Sequence, residues 1–341
     1  MTTLLQQTLK AQNTERVPIW FMRQAGRYLP EYRKVRESWS FLQMTENPEI
    51  AAEITLQPVE RFNLDAAIIF ADIMTLLTGL GIQVSFEDGP PSLDFRYEGQ
   101  RSIDSLRNRV SIEAIAEKLS FFRDSLSLAR KNLSPDKSLL GFAAAPFTLA
   151  SYLVEGTTSK THNKTRAYMF SHPQEFASLL NAITDATAIY LEMQHAAGAD
   201  VVQIFESWGD AMHPVAYSEH ILPSLVKLVS KVSKTVPVIV FHRGSSILRE
   251  TLLPLYEAGA SAVSVDWRMD INFFGDLPVQ GNLDPAFLEG SAEAVVKGVK
   301  DILSLRGHKP GLIFNLGHGI SPQANLEAVS AMVETVQKHR F

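Results

Sequence analysis

The chain has 341 residues, 45% of them hydrophobic and 20% charged, a composition that supports a large folded core and excludes extended disorder. It contains no cysteine, which excludes disulfides, thiolate zinc sites, cysteine-ligated iron–sulfur clusters and cysteine nucleophiles together. The formal net charge of −5 argues against nucleic acid as a main partner, because phosphate backbones call for a basic stripe.

The first residues, MTTLLQQTLKAQNTERVP, carry neither the basic start nor the apolar stretch of a secretory signal and read as a short helix. No later run reaches the roughly 18 apolar residues of a membrane span. The expectation is a cytoplasmic protein without a membrane partner.

Short apolar, β-branched runs then recur at 17–21, 66–70, 139–144, 201–205, 236–241, 262–265, 277–280 and 312–315. Segments of helical spacing, such as 173–196 and 219–232, separate them. This β-α alternation predicts a parallel sheet, and eight units predict a (β/α)₈ TIM barrel forming one domain over 1–341. The runs are continuous rather than alternating, as strands covered on both faces require. No Gly-x-Gly-x-x-Gly follows any of them, which disfavours an open dinucleotide-binding sheet. The stretch 81–99 interrupts the pattern and reads as a rim hairpin turning at Asp88-Gly89-Pro90-Pro91.

Barrel sites form where strands end, so the residues after each run matter most. Run one is followed by Met22-Arg23-Gln24-Ala25-Gly26-Arg27-Tyr28, within a basic cluster (Arg16, Arg23, Arg27, Arg33, Lys34, Arg36) that holds one acid, Glu31. Each guanidinium can grip a carboxylate as a two-pronged fork, and the small Ala25 and Gly26 let a ligand approach. The competing reading of Arg23 and Arg27 is a pair of intramolecular salt bridges, and that of Arg33, Lys34 and Arg36 a solvated helix face. Asp72 follows run two; burial raises its pKa and nearby arginines lower it, so it is expected ionised, or else it caps the next helix. Pro146 and Tyr152 follow run three, Glu206 and Ser207 run four, His242 and Arg243 run five. Asp266 follows run six, Asn282 and Asp284 run seven, and His318, flanked by glycines, run eight. His318 and His242 each have the alternative of a satisfied structural histidine. There is no His-x-His pair, His-Glu-x-x-His or Gly-x-Ser-x-Gly, so no metal and no serine-nucleophile elbow is expected.

Taken together, PIWFMRQAGRYLPEYR at 18–33 and GFAAAPFTLASYLVEG at 141–156 resemble the two signatures of the uroporphyrinogen decarboxylase family. IIFADIM, IFESW, VDWR, QGNLDP and FNLGHGI follow in that family's order, so the resemblance runs from about residue 17 to 320. It implies a (β/α)₈ barrel without cofactor or metal, usually a homodimer, in haem and tetrapyrrole biosynthesis. The implied activity removes carbon dioxide from the four acetate side chains of uroporphyrinogen to give coproporphyrinogen. The positions carried over are Arg23, Gln24, Ala25, Gly26, Arg27, Asp72, Tyr152, Ser207 and His318, with Phe205 bordering the ring.

Three stretches depart from the commoner pattern of that family: Trp208-Gly209-Asp210 replaces Trp-Ala-Gly, FHRG at 241–244 replaces a lysine-glycine version, and Gln323-Ala324-Asn325 replaces Thr-Pro. Decarboxylation without a cofactor requires the substrate to be its own electron sink, through protonation of the pyrrole carbon that bears the acetate. Asp72 then faces the pyrrole N–H groups and stabilises the cation, while Arg23 and Arg27 hold carboxylates, one of them being a candidate proton donor despite the weak acidity of a guanidinium. Two other readings remain: a corrinoid-type methyltransferase, disfavoured because that class binds zinc through histidine and cysteine, and a non-catalytic porphyrinogen-binding protein.

Overall fold

In the computed structural model, which describes residues 2–12, 14–86 and 91–340, seven of the eight apolar runs are parallel strands of one sheet. In chain order the strands are β1 (Ala66–Ile68), β2 (Val84–Ser85), β3 (Ser92–Leu93), β4 (Ser138–Ala144), β5 (Val201–Glu206), β6 (Val238–His242), β7 (Ala262–Val265), β8 (Val279–Leu283) and β9 (Leu312–Leu316). The large sheet has the order β1-β4-β5-β6-β7-β8-β9, and helices such as Pro48–Phe62, Pro173–Ala196 and Ala292–Arg306 run between its strands. Nearly every residue of these strands is buried, which explains why their sequences are unbroken apolar runs.

The sheet curls. The fully buried Gln280 of β8 donates from its amide nitrogen to Gln203 of β5 and Ser264 of β7, each at 2.8 Å, and its amide oxygen accepts Trp20 Nε1 at 3.0 Å. β5 and β8 are not neighbours in the sheet, so this bond crosses the interior. Every polar atom it joins is otherwise shut away from water, where an unmade hydrogen bond costs about 1–3 kcal/mol.

The expected first strand, 17–21, lies between the two edges of the sheet but is not a regular strand. A single parallel bridge joins Ile19 to Phe314 of β9. Phe314 N–H donates to the Pro18 carbonyl at 2.9 Å, and on the other side Asp65 N–H donates to the Ile19 carbonyl at 3.0 Å. The ladder is incomplete because Pro18 has no N–H and because side chains take several of the other donors, although Trp20 N–H still reaches the Phe314 carbonyl at 3.4 Å. Ile19 N–H goes to Asp65 Oδ2 at 2.8 Å, and Met22 N–H goes to Asn315 Oδ1 at 3.1 Å. The parallel α/β architecture is therefore seven strands plus this strip, not eight full strands.

Two other expected boundaries move for the same reason. The runs at 236 and 277 each contain a proline near their start, Pro237 and Pro278, and β6 and β8 begin at the residue after it, since proline cannot donate to a ladder. The helix expected over 219–232 is divided into Pro214–His220 and Leu222–Val232, with Pro223 in the first turn of the second. The helix expected at 173–196 is Pro173–Ala196. The short N-terminal helix is Leu4–Leu9, closed at its start by a reciprocal Thr3–Gln6 cap. The hairpin is β2 against β3, paired Val84 with Leu93 and Ser85 with Ser92. Residues 88–90 of its expected turn lie outside the described residues. Among those described, no helix is long and apolar enough to cross a membrane.

Asp65 holds the strip from its other flank as well, because the Arg16 guanidinium grips both its oxygens at 2.7 and 2.5 Å. Replacing Asp65 with Ala orphans the Ile19 N–H and a partly covered guanidinium. We expect a loss of about 2–3 kcal/mol in unfolding free energy, read as a lower denaturation midpoint at unchanged slope.

Candidate active site

The strip ends in a loop whose backbone is fixed before any ligand arrives. Gln24 N–H donates to the Phe21 carbonyl at 3.1 Å, Leu29 N–H to the Gly26 carbonyl at 3.0 Å, and Ile320 N–H to the Met22 carbonyl at 2.9 Å. The Tyr28 hydroxyl donates to the Gln24 carbonyl at 2.8 Å, and Arg33 donates to the carbonyls of Arg27 and Tyr28 at 2.9 and 3.0 Å. Arg33 thus braces the loop rather than simply facing water. Arg23 sits in the left-handed backbone region at φ 62°, a conformation that costs a non-glycine residue about 1–3 kcal/mol and persists only where neighbours enforce it. Its stem crosses the chain at Gly319, where an added Cβ would stand 2.5 Å from Arg23 Cδ.

Among the described residues neither the Arg23 nor the Arg27 side chain has a hydrogen bond or ion pair, so the internal salt-bridge reading fails. Both line a cavity of about 570 Å³ at the strand ends, together with Gln24, Ala25, Gly26, Asp72, Tyr152, Phe205, Ser207 and His318. Ten residues drawn from five separate stretches of sequence therefore converge. The two arginines, both exposed, face different neighbours. The charge of Arg23 acts on Asp72, Tyr152 and His318, whereas that of Arg27 acts on Tyr32.

Asp72 accepts Met74 N–H at 2.8 Å, and its carbonyl accepts the N–H and hydroxyl of Thr75, so the helix-capping reading holds in part. Burial pushes its carboxyl above the ordinary range against the opposing Met74 bond and Arg23 charge. The expectation that the arginines dominate is corrected: burial is the larger influence and Arg27 is not among the groups acting on it. Tyr152, on the helix Pro146–Glu155, has its hydroxyl pushed up to about 12 by burial and then by Asp72. His318 is held down to about 4 by burial and the positive charges of Arg23 and Arg243, so its imidazole is neutral at ordinary pH. The Ser207 hydroxyl has no partner among the described residues; its backbone N–H donates to Thr148 Oγ1 at 2.9 Å.

The floor of the cavity is aromatic. Phe205 packs on Phe142 at 5.6 Å and on Phe241 at 5.8 Å, and Phe241 meets the His318 ring at 5.9 Å. On the rim, Phe86 of the hairpin segment packs on Phe41 at 5.0 Å, which in turn packs on Phe70. Of these only Phe205 was singled out from sequence. Phe70, Phe142 and Phe241 were visible as aromatic residues in strand runs, where they could not be told from core, and Phe41 and Phe86 lie outside those runs.

Several sequence candidates have other tasks. The Gln24 amide joins the Phe21 N–H and the Ala66 carbonyl, anchoring the loop to β1 instead of presenting a polar group to ligand. Asp266 holds Gly244 N–H at 2.6 Å and Arg268 at 2.8 Å; Asn282 donates to the carbonyls of Asp266 and Met269; Asp284 caps Pro285–Glu289. Glu206 and His242 are the last residues of β5 and β6 and are fully buried behind the cavity wall. Among the described residues no group of three His, Asp or Glu side chains could hold a metal ion.

Residues 2–339 match the family model described as uroporphyrinogen decarboxylase. The chain belongs to the uroporphyrinogen decarboxylase family. It is 39% identical to the uroporphyrinogen decarboxylase of Xanthomonas campestris pv. campestris (strain B100), over 98% of this chain and 97% of that one. Identity to the protein of the same name from Roseiflexus sp. (strain RS-1) is 38%, over 97% and 96%. A methyltransferase from Methanosarcina mazei superposes with a TM-score of 0.81 over 99% of both chains at 20% identity, a likeness of fold alone.

Two of the three stretches set apart in the sequence, 208–210 and 241–244, meet in space. A Cβ on Gly209 would lie 2.1 Å from the His242 ring, and one on Gly244 would lie 2.8 Å from Asp210. Asp210 in turn pairs with Arg243, Oδ2 to Nε at 2.9 Å. Asn325, in the third departure, caps the helix Leu326–Lys338.

Behind them, burial raises Glu206 to about 7, against its bonds from Thr148 and Trp208, and lowers His242 to about 3. A carboxyl raised in the folded state adds stability below its unfolded pKa near 4.5 and loses it as pH rises through 7. The Glu206→Gln variant lacks this titration. Wild type should lose on the order of 2–4 kcal/mol relative to the variant between pH 5 and pH 8, measured by denaturant unfolding at both values; a constant gap would show that Glu206 titrates normally.

Proposed function

We propose that this chain decarboxylates the four acetate side chains of uroporphyrinogen, giving coproporphyrinogen in tetrapyrrole biosynthesis without a cofactor. The observation that carries the reading is the meeting of two unpaired guanidinium groups and one half-buried carboxyl around an apolar, aromatic-floored cavity. Charge of this kind, left uncompensated, favours a polyanion of matching geometry. In each step a proton adds to the pyrrole carbon, carbon dioxide leaves as its bonding electrons pass into the cationic ring, a second proton adds to the resulting exocyclic methylene, and loss of the first proton from the ring carbon restores the pyrrole, so one proton is consumed per carbon dioxide released.

Asp72 lines the same cavity as Arg23 and feels its charge, and its carboxylate can accept the pyrrole N–H groups. Burial disfavours its charge in the empty site, and a developing cation favours it, so its stabilisation grows toward the transition state. Arg23 positions the reacting acetate. Arg27, nearer Tyr32, holds carboxylates at the mouth. The hydroxyls of Tyr152 and Ser207 and the neutral imidazole of His318 donate to the remaining carboxylates, while Phe205 supports the ring and Ala25 and Gly26 keep its approach open.

The methyltransferase reading lacks its cysteine ligands. The non-catalytic reading leaves no use for a half-buried acid under the charge of Arg23. We also read the molecule as a one-domain subunit of a cytoplasmic homodimer, as its family resemblance implies.

Incubation with uroporphyrinogen under reducing conditions should yield coproporphyrinogen; intact substrate after prolonged incubation would refute the activity. Asp72→Asn should cost about 3–4 kcal/mol of barrier, a 10²–10³-fold fall in kcat with KM little changed. Arg27→Ala should instead raise KM by about tenfold or more at nearly constant kcat. Near-normal turnover in the first, or normal KM in the second, would remove the assigned role.

A further inference from the structure

We propose that Arg243 is a third carboxylate-binding cation of this cavity and that Asp210 is its resting counter-ion, released when a substrate carboxylate arrives. The proposal rests on the polycarboxylate reading above and names a binding group beyond the signature loop.

Arg243 follows β6 and lines the cavity beside Trp208, with its guanidinium carbon 5.8 Å from the Trp208 ring centre. Trp208 is itself wedged between Tyr152 and His162, at 6.2 and 4.7 Å. One edge of the guanidinium meets Asp210 at 2.9 Å, but the contact is poorly aligned and leaves Nε without a hydrogen bond. The two Nη groups have no partner among the described residues. A fork of free donors is thus presented at the cavity wall, and its charge reaches the interior, since it is among those holding down His318.

Asp210 can give Arg243 up without being stranded. It lies 3.8 Å from Arg268, whose other partner is the fully buried Asp266 at 2.8 Å. The four side chains, two arginines and two aspartates, balance one another, in contrast to Arg23 and Arg27. A loosely aligned, partly exposed ion pair is worth little, whereas a two-pronged guanidinium–carboxylate contact in a cavity closed by ligand is strong, so the exchange favours substrate. The tryptophan face keeps the guanidinium plane in place while its partner changes.

The test compares wild type, Arg243→Gln, Arg243→Lys and Asp210→Asn in two assays: turnover of uroporphyrinogen, and equilibrium titration with the oxidised octacarboxylate uroporphyrin. Arg243→Gln should raise KM and Kd about tenfold with kcat within about threefold, and Arg243→Lys should recover part of the loss. Asp210→Asn should move both constants the opposite way, tightening them roughly threefold, because it frees the fork. A merely structural ion pair would make the Gln and Asn variants change alike, and that result, or unchanged binding in Arg243→Gln, overturns the proposal. If wild type binds uroporphyrin but does not turn over uroporphyrinogen, the decarboxylase reading fails while the titration still decides the role of Arg243. Should Arg243→Gln fail to fold, the direction of the Asp210→Asn shift decides.

Discussion

The Asp65 carboxylate is the constraint from which the site follows. It takes the Arg16 fork on one side and the Ile19 N–H on the other, and so seats an irregular strip between the first and last strands of a curled sheet. A regular strand there would have placed its ladder bonds automatically. Here Pro18 removes one donor and two side chains, Asp65 and Asn315, take over others, so closure depends on particular residues and not on backbone pairing alone. The loop carrying Arg23 and Arg27 hangs directly from this strip and is tied to the stretch after β9 through Met22 and Ile320. The cations are therefore placed by the same contacts that bring the sheet edges together.

Burial then acts on the cavity in one direction for acids and the other for bases. It raises Asp72 and Tyr152 and lowers His318, in each case disfavouring the charged form, around two unpaired guanidinium groups. A ligand with carboxylates at its edge and N–H donors at its centre answers both conditions, anions for Arg23 and Arg27 and a partner for Asp72. The aromatic floor excludes water from beneath it, which strengthens each of these contacts.

Much of this was legible in the sequence because strands buried on both faces leave unbroken apolar runs, and because two arginines around Ala-Gly have few structural uses. All ten candidate residues line the cavity. What was not legible depended on partners remote in the chain. Gln24 looked like a ligand group until its amide proved to join Phe21 and Ala66. Glu206 and His242 looked like residues just past their strands, but both are in register at the ends of β5 and β6 and face away from the cavity. The starts of β6 and β8 were readable in principle from Pro237 and Pro278. The left-handed turn at Arg23 was not, since its residue type gives no warning of it.

The packing of Gly209 against His242, and of Gly244 against Asp210, has an evolutionary consequence. With a Cβ at 209 the buried imidazole has no room, and with a Cβ at 244 the backbone of Asp210 must move. The two loops are therefore coupled: alanine at 209 requires both a smaller side chain at 242 and a shift of the Arg243 carbonyl, which would stand 2.9 Å from the added Cβ. Divergence along this wall would proceed through paired replacements on two adjacent loops, and a chimera that transplants one loop without the other should carry a clash that neither parent has.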